Sequence, residues 1–273
     1  MSLKTGLFQS SKKDNEMSFW EHLDVLRAVL IRTGVVIVLF SVFGFIFKDL
    51  IFQIILAPKS SDFITYRWMS EIAVICGFPP IASFHADLIN TVLAQQFMIH
   101  VKISLCIGLL VASPYVIYEL FRFISPALYT HERRYSVVVV TSGYIMFMVG
   151  LAISYFLIFP LTFRFLATYQ VSSSVENLIS LESYTDTLLM MSLIMGIVAE
   201  IPVVCWLLAK LGLLKHQFMT HYRRHAIVAI LIIAAIITPT SDVLTLSIVA
   251  LPIYLLYEIS ILIVKCTAQT DAN

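Results

Sequence analysis

The sequence predicts an all-α polytopic membrane protein with six transmembrane helices, both termini cytoplasmic and the last two spans short. Three observations carry that expectation. The 273 residues are 59% hydrophobic and 13% charged, whereas a soluble domain averages about 45–50% apolar and about 25% charged residues. An apolar excess of this size does not fit inside a globule, so its solvent is lipid. The apolar residues also fall in runs near the roughly 20 that a helix needs to cross a hydrocarbon core of about 30 Å, with no alternation of the β-barrel kind. Finally, thirteen of the eighteen Lys and Arg residues lie in the N-terminal stretch to Arg32, in residues 122–134, in residues 210–224 and in the C-terminal tail. That asymmetry places those segments, and both termini, on the cytoplasmic side.

Other classes are excluded on the same basis. A net charge of +1 gives no sign of a nucleic-acid partner. The four cysteines are far apart and form no C-x-x-C pair, which argues against a disulfide framework or a metal site, and nothing indicates a cofactor. The first 27 residues are polar, so the first span is expected to act as its own insertion signal. The chain reads as one membrane domain, 1–273. Residues 1–27 form a cytoplasmic amphipathic segment, 28–263 a six-span bundle with an outer-face loop at 48–96, and 264–273 a cytoplasmic tail.

In chain order, "MSFWEHLDVLRAVLIR" (17–32) comes first, with Ser18 and Glu21 at capping-box spacing. Phe19, Leu23 and Leu26 fall on one helical face, and Glu21 and Asp24 on the other with Arg27 at its edge. This predicts an interfacial helix leading into the first span. The spans are expected at about 28–47, 97–120, 137–160, 187–209, 225–239 and 243–263. The last two look short. "AIVAILIIAAII" (226–237) covers about 18 Å, and the final run is broken at Pro252 and interrupted by Glu258. Such a hairpin is either tilted and shielded by its neighbours or set in a thinned bilayer.

Two carboxylates are not explained by topology. Glu132, in "FISPALYTHERR" (123–134), stands beside Arg133 and Arg134, which fix the loop on the cytoplasmic side. Glu200 lies inside an apolar span, about 20 Å from one end and about 14 Å from the other. A charge at that depth costs at least about 2.5–3.5 kcal/mol, so Glu200 should face the protein interior, a wet cavity or a polar partner. Pro202, two residues on, frees a carbonyl near Val198, and the two together mark a kinked polar notch. A hydrogen-bonding role within the bundle is the alternative. Glu258, nearer the cytoplasmic surface, reads as structural. Glu21 and Asp24 on the first helix are placed to share a cationic ligand with Glu132.

The ordered set "HLDVLR" (22–27), "FISPALYTHERR" (123–134), "YFLIFP" (155–160), "AEIP" (199–202) and "ITP" (237–239) resembles the TatC family, the receptor and core subunit of the twin-arginine protein translocase. The resemblance runs from His22 to Glu258. It implies a six-helix, glove-shaped protein of the bacterial cytoplasmic (inner) membrane, exporting folded proteins with the proton-motive force. It implies twin-arginine signal peptides and single-span TatA- or TatB-type subunits as partners, in an oligomeric complex within the lipid bilayer. By the same resemblance Glu132 is the signal-peptide carboxylate, Phe123 its aromatic neighbour and Arg27 the arginine of the N-terminal motif. Pro58 and Tyr155 match a proline after the first span and a tyrosine of the third, and Glu200 matches the polar site of the fourth. One departure concerns the N-terminal motif, whose usual Glu is replaced here by Val25, the nearest acid being Asp24. That shift rotates the carboxylate by about 100° on a helix. A second departure is the long connection 48–96.

Two rivals were weighed against this reading. A proton- or ion-coupled small-solute transporter would use Glu200, but such folds show inverted repeats and discontinuous helices meeting at the midplane. An intramembrane enzyme would need a motif such as G-x-S-x-G or H-E-x-x-H, and the spans carry none.

Overall fold

The computed structural model describes residues 19–80, 83–84, 86–124, 136–170, 172, 177–238 and 242–270. Eleven helices follow in order: α1 (Phe19–Ile46), α2 (Lys48–Leu56), α3 (Ile64–Ile75), α4 (Gln95–Ile124), α5 (Ser136–Ile153), α6 (Phe159–Thr168), α7 (Leu181–Val198), α8 (Ile201–Lys210), α9 (His216–His221), α10 (Arg223–Ile237) and α11 (Val243–Thr270). A single 3-10 turn, Ala57–Lys59, closes α2, and a π-helical turn, Ser154–Ile158, joins α5 to α6 without a break in the rod. Two short strands, β1 (Leu88–Ile89) and β2 (Ile179–Ser180), pair in parallel with Leu88 opposite Ile179. They tie the two long connections together at the end of the bundle where α1 finishes, here the far end; α1 begins at the near end.

Among the described residues, five segments are long and apolar enough to cross a membrane: His22–Ile46, Gln95–Phe123, Val137–Thr168, Leu181–Lys210 and Val243–Thr267. The expected fifth span is α10, whose 15 residues reach only about 22 Å. Its partner corrects the expectation of two short spans. α11 runs unbroken for 28 residues with Pro252 inside it. Pro252 is buried, and α11 packs along α8 and α10, the packed setting in which membrane helices tolerate a proline. The connection 48–96 is likewise no plain loop, since it folds into α2, the 3-10 turn, α3 and β1.

α1 turns a mixed stripe to the bundle. Leu23 is exposed beside Asp24 and Arg27, while His22, Val25 and Leu26 are half-buried and Val29 and Thr33 buried. The face that meets the bundle is therefore 22, 25, 26, 29 and 33, which shares Leu26 with the apolar face read from the sequence. That stripe packs on α4. Contact is closest at Gly108, where an added Cβ would lie 2.6 Å from the Ile37 carbonyl oxygen and collide with Ser41 Oγ. α5 approaches α7 in the same way at Gly150, with 2.6 Å to the Met195 oxygen. Lipid gives helices no hydrophobic drive to associate, so close backbone approach at small residues holds them together. Around these seams Ile103, Met191, Met195, Val249 and Ile253 are fully buried.

The far end has a different problem, because short helices ending near hydrocarbon leave carbonyls without partners. Side-chain hydroxyls fill them. Tyr155 Oη donates to the Ile54 carbonyl at 2.6 Å and Tyr184 Oη to that of Ile55 at 2.8 Å. Tyr66 Oη lies 3.1 Å from the Pro58 oxygen and 3.0 Å from the Pro160 oxygen. Pro160 has no N–H to offer the Phe156 carbonyl one turn back, and the Thr65 hydroxyl donates to it instead.

Candidate functional site

At the near end the start of α1 meets the end of α4. The imidazole of His22 stacks on Phe123, with ring centroids 4.2 Å apart and planes at 25°. This contact places the "HLDVLR" turn beside the point where the 125–135 loop leaves α4. Asp24 and Arg27 are exposed on the same turn of α1. Glu132, Ser18 and the side chain of Glu21 lie outside the described residues.

One level deeper is a carboxylate that the sequence reading passed over. Glu119, on α4, is 2% exposed. Its Oε1 accepts from the Tyr115 hydroxyl at 3.0 Å and faces Arg32 of α1 at 3.5 Å and Arg122 at 3.8 Å. Its Oε2 is buried and has no hydrogen-bond partner among the described residues. Both guanidinium groups are about half exposed, so the carboxylate is compensated by cations that remain in contact with water. The pair ties α1 to α4 one helical turn inside the His22–Phe123 stack. A lone acid in the run "SPYVIYELFRF" (113–123) was the available signal.

Glu200 occupies the break between α7 and α8. α7 ends at Val198, and Pro202 sits in the first turn of α8, where its missing N–H leaves nothing unsatisfied. The helix is therefore interrupted at Glu200, just before Pro202, but without the freed carbonyl expected near Val198. Counted along the helices, Glu200 is about 28 Å from Leu181 and about 15 Å from Lys210, the two ends of its span. Its carboxylate faces α5, where a Cβ on Gly143 would be 3.1 Å from Oε2. Oε1 is buried without a partner among the described residues. The side chain lines a cavity of about 590 Å³ walled by apolar groups that include Ile117, Phe147, Ile197 and Val204. Chemically this is a recess for an apolar body that carries one hydrogen-bonding group.

The Thr162 and Thr238 hydroxyls are also buried without a partner among the described residues, whereas other polar groups of the helices are paired. Glu258 takes Arg223 at 2.7 Å and the Tyr254 hydroxyl at 2.8 Å. Between α4 and α7, Lys102 pairs with Asp186 at 2.6 Å and Gln95 with Glu182 at 2.9 Å. The helical spacings 95/102 and 182/186 carried that seam in the sequence, and it was not recognised. Pro58 and Tyr155 are close together, at the far end. The structure thus separates the candidate residues into three places: His22, Asp24, Arg27 and Phe123 at the near end, Glu200 and Pro202 within the bundle, and Pro58 and Tyr155 in the far-end hydroxyl cluster.

Comparison with known proteins follows this division of the chain. The family model described as TatC, Sec-independent protein translocase protein, matches residues 21–252. The Sec-independent protein translocase protein TatC of Blattabacterium sp. subsp. Periplaneta americana is 33% identical over 254 residues, covering 91% of this chain and 95% of its own. The protein of the same name from Aquifex aeolicus is 31% identical over 254 residues, covering 93% and 97%. The crystal structure of the twin arginine translocase receptor TatC superposes with a TM-score of 0.72 at 31% identity, covering 91% of this chain and 100% of that one.

The Glu119 cluster makes a direct prediction. Arg32→Leu should destabilise the protein by about 1 kcal/mol or somewhat more, because a buried carboxylate loses a cation while half-exposed Arg32 limits the effect. Glu119→Gln, which keeps the Tyr115 hydrogen bond, should cost less. Unfolding in detergent of both single variants and the double should show the double recovering part of the Arg32→Leu loss. Strictly additive effects would mean that the two side chains are not coupled.

Proposed function

Because the chain belongs to the TatC family of Sec-independent protein translocase proteins, we propose that it is the receptor and core subunit of a twin-arginine translocase. In this reading the near end is cytoplasmic, with both termini, and α10 completes a sixth crossing where its short length thins the bilayer. The protein resides in the bacterial inner membrane, binds twin-arginine signal peptides, assembles with single-span TatA- or TatB-type subunits into an oligomer and exports folded cargo at the expense of the proton-motive force. One observation supports the binding site most: the His22–Phe123 stack holds the α1 motif against the root of the loop that carries Glu132. Peptide guanidinium groups then have Glu132 as a bidentate acceptor, with Asp24 and Glu21 adding negative charge and Arg27 and Phe123 shaping the surface. Arg133 and Arg134 hold the loop on its side. The coupled small-solute transporter has no comparable support, since each of the relatives above is named as a translocase protein.

A titration of purified protein with signal peptides tests the receptor role. Arg-Arg peptides should bind more tightly than Lys-Lys peptides, whose ammonium groups lose the bidentate geometry, and Glu132→Ala should remove about 2 kcal/mol or more of that affinity. Equal affinity for both peptides, unchanged by Glu132→Ala, would falsify the receptor assignment.

Glu200 is too deep to meet arginines at the surface, and its recess fits a partner helix with one polar side chain. Two such groups facing each other in lipid gain about 0.6–2 kcal/mol, enough to bias where a helix docks. Glu200→Ala should therefore weaken or shift crosslinks from a single-span subunit to the Met195–Val203 region while leaving peptide affinity nearly intact, and Glu200→Gln should do less damage. If Gln is as harmful as Ala, the site needs a titratable proton. If neither substitution alters crosslinking, Glu200 has no docking role.

A further inference from the structure

Helix α3 is fixed on one side and bare on the other. Thr65 and Tyr66, both buried, bond to the Phe156, Pro58 and Pro160 carbonyls. On the face opposite Tyr66, with Thr65 at its edge, Ile64, Trp68, Ile72 and Ile75 are 43%, 60%, 61% and 83% exposed. Their spacing confines them to an arc of about 80° on the helix. Arg67 and Glu71, both exposed, flank the stripe, and Phe78, 68% exposed, extends it.

The height of the anchor indicates what covers this stripe. Phe156 is 19 residues from Val137 and 12 from Thr168, the two limits of its span, about 28 Å and about 18 Å along the helix. The hydrocarbon core is about 30 Å thick. The Thr65 anchor therefore sits in the far half of the span, on the side of the far leaflet, where an apolar stripe meets acyl chains, Trp is favoured toward the interface and flanking charges reach headgroups. Continuity supports the same placement: Leu50 and Ile54 of α2, which precedes the anchor, are also exposed, and Ile54 is bonded to the third span through Tyr155.

We propose that α3 is an interfacial helix whose Ile64–Trp68–Ile72–Ile75 stripe seats in the far leaflet of the bilayer. Phospholipid acyl chains at the headgroup boundary are its partner. The helix then holds the Tyr66, Thr65 and Pro58 contacts at a fixed depth, and the long 48–96 connection acts as a membrane anchor for the far end. This rests on the chain spanning a bilayer and is independent of the signal-peptide site.

The test uses full-length protein carrying Trp20→Phe and Trp206→Phe, so that Trp68 is the single tryptophan, reconstituted into phosphatidylcholine vesicles. Lipid brominated near the headgroup end of its chains should quench Trp68 at least about twofold more than lipid brominated near the terminal methyl, as expected for a shallow helix. Aqueous iodide should quench it little. A tryptophan moved to the other face, by Ser70→Trp with Trp68→Phe, should lose the brominated-lipid quenching. Strong iodide quenching of Trp68 would overturn the proposal by placing the stripe in water. Protection from both quenchers would overturn it too, by placing the stripe against protein, a second copy or a partner subunit. Should either Phe replacement impair folding, a nitroxide attached at position 75, compared for oxygen and nickel-chelate accessibility, reads the same burial.

Discussion

A buried backbone carbonyl in hydrocarbon has no water to turn to, and the far end of this bundle is organised around that constraint. α2, which follows the first span, stops at Leu56, Pro160 withholds an amide from the third span, and the 3-10 turn at Pro58 adds a further acceptor. Four side-chain hydroxyls, from Thr65, Tyr66, Tyr155 and Tyr184, answer these carbonyls. Burial pushes the Tyr66 phenol well above its usual range, so it remains a hydrogen-bond donor at any physiological pH. With β1 and β2 paired above it, this cluster closes the far end as a scaffold.

The near half is built differently. Among the described residues Glu119 and Glu200 each keep a buried oxygen without a partner, Glu119 at the α1–α4 seam and Glu200 at the break between α7 and α8. Glu119 is balanced by two arginines beyond hydrogen-bonding distance, and Glu200 opens into an apolar recess. An unsatisfied buried polar group is expensive to keep, and such groups persist where a function or a partner needs them. The far end also holds two buried hydroxyls without a partner among the described residues, those of Thr162 and Thr238, but the unmatched carboxylates lie toward the near end.

Much of this was legible in the sequence. Apolar run length located five spans, Pro202 marked the α7–α8 break, and the ordered motifs pointed to the family. What was missed has physical reasons. A proline reads as a break, yet Pro252 stays inside α11; at Pro114, which the expected second span already contained, the Ser113 hydroxyl donates to the Leu110 carbonyl one turn back. The apolar pattern of α1 did not say which side meets the protein, because in lipid an apolar residue need not face it, and it is His22, Val25 and Thr33 that turn inward. Tyr66 and Tyr184 carry no periodic signal, since their partners are carbonyls far away in the chain.

The central claim is that the peptide-binding surface is the near end, where α1 and α4 meet, while the far end is scaffold. The most direct measurement is photocrosslinking of a twin-arginine peptide, with the reactive group next to its arginine pair, to the purified protein, followed by mass-spectrometric mapping of the adducts. Adducts on residues 22–27 and 123–134 that are competed away by unlabelled Arg-Arg peptide are the predicted result. Adducts concentrated near Pro58 and Tyr155, or at the near end but indifferent to that competitor, would contradict it.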